Sequence, residues 1–304
     1  MNGEGAQQRM VRGSLSALIG PVKVRGVSAD PRSDVVYVSL CREAGCAIYA
    51  AGPEPRLEPV LVNSGWNYRW AAAEGDGILL AVRSLPGADS IENPTSDIVR
   101  YRSGDPAPSV LRSEAGRITS LQSLGGGAYA YFVSTGLKKV EGCRTDCEYV
   151  PVAQRLVVVG ADGVVAGSMD DVVDGLSGVA FHPWIDGTWL VMPYNSARTR
   201  QLTATITAGP SPVLTRYAGS AELAAASPPD AWPREGLARF NMIAEPFRAL
   251  GVVAVSEAID LSAPGEAVLV EPSAGADPHG VVVRTVSRAP DQQWRPGPSR
   301  TYRF

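Results

Sequence analysis

A unit of short strand-like runs recurs along this chain of 304 residues, and it restricts the fold more than any other feature of the sequence. Each copy holds a strand, a turn rich in Pro, Gly or Asp, and a strongly apolar strand. A third strand follows after a variable loop, and a hairpin leads to a fourth. Self-similarity at a period of roughly forty to sixty residues is typical of repeat architectures. Since one unit alone exposes apolar faces, stacked neighbours must bury them, and an all-β fold is predicted.

The copies differ in how complete they are. Four are regular and span residues 24–62, 68–111, 118–166 and 178–217, and a less regular fifth is placed at 239–284 with strands at 239–243, 250–255, 267–270 and 281–284. Residues 221–237 interrupt the series and are predicted as an insertion, a short helix followed by a rigid loop rich in Pro.

The C-terminal stretch 291–304 is interpreted as half a unit, with one strand, a turn at Pro296 and Gly297, and a second strand containing Tyr302 and Phe304. A strand pair left open would expose an edge, which folded proteins rarely leave uncovered. Residues 1–20 are therefore expected to supply the missing two strands. This arrangement closes a ring of six units over a single domain, 1–304.

Two of these units resemble a known repeat. Gln293-Trp294-Arg295-Pro296-Gly297 and Asp97-Ile98-Val99-Arg100-Tyr101 are similar to the TolB-type, WD40-like propeller repeat, whose units combine a Trp-Pro-Gly stretch with an Asp-Ile-Tyr-Val strand. The resemblance implies a six-bladed β-propeller that serves as a partner-binding module. A β-sandwich or two smaller β domains would show similar strand spacing and remain the alternative.

Composition argues against a general nucleic-acid binder and against a membrane-spanning protein, although a local basic patch remains possible. The net charge of −3 and the pI of about 5.6 argue against a general nucleic-acid binder, which needs a basic stripe to displace counterions from phosphate. No apolar run approaches the length of a transmembrane helix, so no membrane span is expected. The start of the chain lacks the features of a signal peptide, which fits either a cytosolic protein or one whose leader is not part of this sequence.

Four cysteines form two close pairs, Cys41 with Cys46 and Cys143 with Cys147. Two local disulfides are the simplest interpretation, while a shared zinc site and free thiols are the alternatives. Disulfides indicate an oxidising compartment. They favour a periplasmic or secreted protein whose leader has been removed.

The sequence offers little for catalysis. It has only two histidines, His182 and His279, and neither has a second histidine at metal-ligand spacing. Nucleophile elbows, phosphate loops and dinucleotide fingerprints do not occur. No metal or cofactor is expected, and a non-enzymatic role is favoured.

Arginine stands at or just before the predicted first strand of five units. These residues are Arg25, Arg69, Arg117, Arg239 and Arg288, and Trp66, Asn67, Tyr68 and Asn241 fall at the same level. First strands line the channel of a propeller, so the arginines are predicted to form a positive funnel that holds carboxylates or phosphates. The alternative is that they cap neighbouring carboxylates or point to solvent.

Three functions follow from this interpretation. The leading one is a propeller of the cell envelope that binds a protein or peptide partner, or an anionic small ligand, on its long-loop face. The second is a glycan- or lactone-processing hydrolase at the channel mouth, with Glu74, Asn67, Asn241 and Glu245 as scattered candidates. The third is a structural subunit, which predicts a large apolar outer patch.

Overall fold

The computed structural model describes residues 23–42, 45–62, 65–85, 95–139, 149–170, 181–184, 187–191, 203–218, 220–227, 258–263, 266–272, 280–289 and 294–304. Of the features predicted above, the N-terminal segment 1–20, the second cysteine pair, Arg239, Asn241 and most of the insertion lie outside these residues. The helix at the start of that insertion is present as α1, Ser220–Ala226. Neither this helix nor any other in the described residues is long and apolar enough to cross a membrane.

Twenty strands account for most of the described chain. They are β1 (Lys23–Ala29), β2 (Val36–Arg42), β3 (Gly45–Ala51), β4 (Leu57–Leu61), β5 (Asn67–Gly75), β6 (Ile78–Ser84), β7 (Ser96–Arg102), β8 (Ser109–Glu114), β9 (Arg117–Gly125), β10 (Ala128–Lys139), β11 (Tyr149–Val159), β12 (Val165–Met169), β13 (Phe181–Pro183), β14 (Thr188–Val191), β15 (Thr203–Thr207), β16 (Leu214–Tyr217), β17 (Ala258–Ala263), β18 (Glu266–Pro272), β19 (Gly280–Arg288) and β20 (Trp294–Arg303).

The strands form five four-stranded antiparallel sheets, each built from four strands consecutive in the chain. The all-β prediction is therefore confirmed, and the first four predicted units correspond to the first four sheets. Tight turns at the predicted positions explain this success. At the turn between β5 and β6, Gly75, Asp76 and Gly77 all have positive φ angles, of 92°, 56° and 70°, a conformation that Gly and Asp tolerate best.

The fifth sheet differs from its prediction by one strand. Residues 267–270 and 281–284, expected as the third and fourth strands of the fifth unit, lie on β18 and β19, the second and third strands. The first strand of the sheet is β17. The predicted strands at 239–243 and 250–255 fall outside the described residues.

The C-terminal stretch is a single strand, so the expectation of a strand, a turn and a second strand there is wrong. β20 pairs with β19 from Arg303 opposite Gly280 to Trp294 opposite Arg288, with one register irregularity near Val286. Pro296 and Pro298 are tolerated because β20 is the outer strand, where backbone N–H groups on the open side need no partner. The fifth sheet thus obtains its fourth strand from the C-terminal stretch itself, and the six-unit count stays a prediction.

The described chain divides into two compact units. One contains the described parts of 1–86, 99–109 and 244–304, and the other those of 87–98 and 110–243. The prediction of one domain over 1–304 stays a prediction.

In the first unit, the first and last sheets pack face to face. Their core contains Val38, Leu40 and Tyr49 from the first sheet with Val270 and Val281 from the last. Hydrogen bonds reinforce the contact, since the Tyr302 hydroxyl donates to the Gly52 carbonyl oxygen at 2.9 Å and Arg300 Nη1 donates to the Pro53 carbonyl oxygen at 3.0 Å. The two ends of the described chain therefore meet within this unit.

The same unit brings together the first strands of three sheets, because β1 lies against both β5 and β17. The approach is close at Gly26, where an added Cβ would lie 3.3 Å from the carbonyl oxygen of Arg69. A second core, including Tyr37, Ile48, Tyr68 and Leu79, joins the first sheet to the second. In the second unit, the third and fourth sheets share a core in which the rings of Phe132 and Phe181 are 5.2 Å apart.

Candidate functional site

The candidate site lies at one end of the first unit, where β2 and β6 finish and β3 and β5 begin. We call it the disulfide end and define it by Cys41, Arg42, Gly45, Cys46, Trp66, Asn67, Tyr68, Arg83, Ser84 and Leu85. Antiparallel pairing brings these positions together, since Cys41 is opposite Cys46 and Asn67 is opposite Ser84. The end includes three of the nine residues predicted for binding.

A disulfide joins Cys41 to Cys46 across the β2–β3 hairpin, which confirms the first predicted pair. The hairpin is also fixed to the second sheet, because the Cys46 N–H donates to Asn67 Oδ1 at 3.2 Å. Gly45 has a φ of 138°, and a Cβ there would lie 2.4 Å from the same oxygen. Asn67 therefore positions the hairpin, a structural role that the sequence did not reveal.

Arg83 connects the two predicted aromatic residues. Its guanidinium carbon lies 3.9 Å from the centre of the Trp66 ring, within the range of a cation–π contact. Burial raises the pKa of Tyr68, and the charge of Arg83 and its hydrogen bond to the phenol oppose this shift. The guanidinium is thus held in one orientation on an aromatic platform.

Leu85 follows Ser84 directly and is 50% exposed. Strand pairing places Leu85 at the level of Trp66, since the residues next to them, Ser84 and Asn67, lie opposite each other. Trp and Arg are also the residue types most enriched among those that dominate the energy of protein interfaces. The disulfide end therefore has the composition of a contact surface.

Arg42 lies on the side of the β2–β3 hairpin that points toward the last sheet. Its guanidinium carbon is 5.4 Å from the centre of the Phe304 ring, and that ring makes an edge contact with Tyr49 at 5.4 Å. Burial lowers the pKa of Arg42, whereas burial raises the pKa of Tyr49 to about 12. Arg42 was not predicted as a site residue.

The five arginines predicted to form a funnel are only partly brought together. Arg25 is exposed on β1 and Arg69 is half-buried on the neighbouring β5, whereas Arg117 begins β9 in the second unit. Arg288 was placed before a first strand, which is wrong, because it ends β19, the third strand of its sheet. The misplacement follows from taking the C-terminal stretch as the start of a new unit.

Carboxylates do not gather at the disulfide end within the described residues. Glu74, a candidate of the hydrolase hypothesis, lies near the far end of β5, where its Oε2 is 3.0 Å from Arg100 Nε. No group of three or more His, Cys, Asp or Glu side chains among the described residues could hold a metal ion. Asn241 and Glu245 fall outside those residues.

The second unit contains a separate polar cluster around Glu114. Arg112 Nε contacts its Oε1 at 2.7 Å, Arg155 Nη2 lies 3.6 Å from its Oε2, and the Tyr131 hydroxyl donates to Oε1. Burial raises the pKa of Glu114, but the hydrogen bonds from Arg112 and Tyr131, with the two guanidinium charges, lower it overall. Tyr131 is fully buried, and burial raises the pKa of its phenol. The groups satisfy one another, so the cluster is structural.

Three residues of the disulfide end were not predicted from the sequence: Arg42, Arg83 and Leu85. Each stands at or just after the end of a second strand, whereas the site residues were predicted at the starts of first strands. Strand register could have found Arg83, because the hairpin turn at Gly75–Ile78 places it opposite Tyr68.

Comparison with known proteins gives no family. No family model matches the chain, and no curated protein matches it. Among solved structures, the chain is similar to an oligogalacturonate lyase in complex with manganese, with 10% identity and a TM-score of 0.41 over 86% of this chain and 62% of the other. The chain thus spans less than two thirds of that protein's length.

Two further structures are neuraminidase-like proteins. One is the subtype N10 protein of A/little yellow-shouldered bat/Guatemala/060/2010, with 10% identity and a TM-score of 0.36 over 92% of this chain and 83% of the other. The other is the subtype N11 protein of A/flat-faced bat/Peru/033/2010, with 9% identity and a TM-score of 0.33 over 92% of this chain and 73% of the other.

Proposed function

We propose that this chain is a β-propeller that binds an acidic segment of a protein partner at its disulfide end. Each four-stranded antiparallel sheet is a blade in this proposal. Its support is the packing of the first sheet against the last and the meeting of first strands β17, β1 and β5. Rigid scaffolds of this kind carry their binding residues on the loops and strand ends of one face.

The observation that carries the binding proposal is the Arg83 guanidinium held over the Trp66 ring next to the exposed Leu85. A guanidinium fixed in this way loses little conformational entropy when it pairs with a carboxylate. Trp66 and Leu85 supply apolar contact area around the charge. The disulfide and the Asn67 hydrogen bond keep the adjoining hairpin in one shape.

The Cys41–Cys46 disulfide supports placing the protein in an oxidising compartment, the periplasm or the exterior of the cell. Such a location suits a module that binds other envelope or secreted proteins. The location and the partner are both part of the proposal.

A phage-displayed peptide library selected against the full chain tests the proposal. We expect the selected peptides to be rich in Asp and Glu and to bind about tenfold or more weakly to Arg83→Gln, because a charge-assisted contact is lost. Arg102→Gln is the matched control, since Arg102 is exposed at the opposite end of the same sheet. Selected peptides without acidic enrichment, or equal binding to both variants, would count against the proposal.

Leu85→Ser examines the apolar part of the surface independently. It should weaken the same peptides severalfold, whereas Leu111→Ser, which changes a leucine 42% exposed on β8, should leave their affinity unchanged. An equal loss in both variants would show that binding does not depend on the disulfide end.

A hydrolase is the second candidate function, favoured by one observation. Glu74 is a carboxylate whose side chain is only 5% exposed, and it lies on a first strand of a sheet. Turnover of a glycan or lactone that Glu74→Gln abolishes would support this candidate. Turnover that is unchanged in the variant would exclude Glu74 as the catalytic acid.

A further inference from the structure

The contact between the first and last sheets contains a polar group of residues that the proposed peptide contacts at Trp66, Arg83 and Leu85 do not use. Arg42 ends β2, Tyr49 lies on β3 of the same hairpin, and Phe304 follows β20. The Phe304 ring touches both of the others, with Arg42 over its face and Tyr49 at its edge. We call these three residues the Arg42 cluster.

Three donor groups in this cluster are buried. Nε and Nη1 of Arg42 and the hydroxyl of Tyr49 have no hydrogen-bond partner within the described part of the chain. Tyr49 as a whole is only 2% exposed. Leaving a buried donor without a partner destabilises the fold, and the cost is larger when the group is charged. These donors belong to two residues that both contact the Phe304 ring, and an oxygen acceptor placed beside them would satisfy part of the set.

Two other arginines of the described chain have carboxylate partners. Arg100 pairs with Glu74, and Arg112 pairs with Glu114, so each of these guanidinium groups has a carboxylate within 3.0 Å. Arg42 instead lies on an aromatic ring beside a phenol. Its environment is therefore that of an arginine prepared to receive a carboxylate from another molecule.

The protonation state of Tyr49 and the charge of Arg42 indicate which class of ligand fits the cluster. Burial raises the pKa of Tyr49 to about 12, so the phenol is a donor at neutral pH. One guanidinium supplies a single positive charge, which a carboxylate neutralises. A phosphate group carries nearly two negative charges and would leave one of them buried without compensation.

We propose that Arg42 and Tyr49 bind one carboxylate group, with the ring of Phe304 as the apolar wall of the site. Arg42 supplies the charge and one hydrogen bond, and Tyr49 supplies a second. The carboxylate belongs to an acidic peptide side chain or to a small organic acid. This inference does not depend on the peptide surface at Trp66, Arg83 and Leu85, because the two sets share no residue.

Nuclear magnetic resonance of the ¹⁵N-labelled full chain tests the site directly. The Nε–H signal of Arg42 is assigned as the one that Arg42→Lys removes. We expect it to move saturably as N-acetyl-aspartate N-methylamide is added, and to stay in place with the matching asparagine compound. A signal that does not move, or that moves equally with both compounds, would overturn the proposal.

Two further additions distinguish the source and the charge of the ligand. Acetate that binds as tightly as the aspartyl compound would assign the site to free organic acids, and weaker acetate binding would assign it to a peptide. Inorganic phosphate should move the signal far less than acetate does. An equal or larger response to phosphate would contradict the carboxylate assignment.

Tyr49→Phe tests the phenol without removing the ring. The variant should bind the aspartyl compound about tenfold more weakly, as expected for one hydrogen bond to a charged group. Tyr101→Phe, on β7 of the second sheet, is the matched control and should bind normally. A urea midpoint close to that of the wild type shows that the variant is folded. Unchanged affinity of a folded Tyr49→Phe would remove Tyr49 from the site.

Discussion

The hydroxyl of Tyr302 donates a hydrogen bond of 2.9 Å to the carbonyl oxygen of Gly52, joining residues 250 positions apart in the chain. Tyr302 lies on the last strand and Gly52 lies between β3 and β4 of the first sheet. Together with the backbone bridge between Arg56 and Arg303, this bond fastens the outer part of the last sheet to the first.

Removing that hydrogen bond should destabilise the protein measurably. Tyr302→Phe is expected to lower the free energy of unfolding by about 1 kcal/mol, because the bond is lost and the Gly52 carbonyl oxygen must find another donor. Urea denaturation measures the change. Thr301→Ala, at an exposed position of the same strand, should alter stability by less than about 0.5 kcal/mol. If the two changes lowered the free energy of unfolding equally, Tyr302 would have no particular role in holding the first and last sheets together.

Gly297 tests whether residues 294–303 form one continuous strand beside β19. A Cβ at this position would lie 2.6 Å from Oγ1 of Thr285 on β19, so Gly297→Ala should destabilise the fold by about 1–3 kcal/mol. Thr285→Ala removes the clashing atom, and the double variant should regain part of the loss. A double-mutant cycle measured by urea denaturation gives the coupling energy. Strictly additive changes would indicate that residues 294–303 do not pair with β19 as one strand.

Glu114 should make stability depend on pH. Because folding holds the pKa of its carboxyl below the usual value of 4.5, the ionised group stabilises the fold above that value. This stabilisation is lost as the pH falls through the lowered pKa. Glu114→Gln should therefore cost about 2 kcal/mol at pH 7, and the difference from the wild type should shrink below pH 4. Urea denaturation at both pH values provides the test, and a difference that grows as the pH falls would contradict it.

Chemical analysis can determine whether Cys41 and Cys46 form a disulfide. Peptide mapping by mass spectrometry without reduction should recover Cys41 and Cys46 in one linked pair, and reduction should release it. The chain-entropy model gives about 2 kcal/mol for so small a loop, so Cys41→Ser with Cys46→Ser should be a folded but less stable protein. Free thiols at both positions in protein purified without reductant would remove the argument for an oxidising compartment.

Strand patterns predicted the fold well where turns are marked by Gly and Asp, as between β5 and β6. They failed at Pro296 and Gly297, which were interpreted as a turn. An outer strand tolerates Pro, and Gly permits the close approach to Thr285, so the same residues fit a continuous strand. That single error displaced the fifth sheet and Arg288.

The candidate site was predicted only in part, because local patterns show where strands begin but not which strands lie side by side. Trp66, Asn67 and Tyr68 precede or begin a first strand, and the predicted propeller places such residues at one end. Arg42 and Arg83 lie at the ends of second strands, and their neighbours depend on pairing across strands and between sheets. The contact of Arg42 with Phe304 joins residues from opposite ends of the sequence, which no local pattern can indicate.

Hydrogen–deuterium exchange with a selected acidic peptide bound tests the central claim, that the disulfide end is the binding face. We predict slower exchange at residues 41–46, 66–69 and 83–85, and unchanged exchange at the turns 75–78 and 102–105 at the opposite end of the second sheet. Protection confined to those opposite turns, or absent from the disulfide end, would contradict the account.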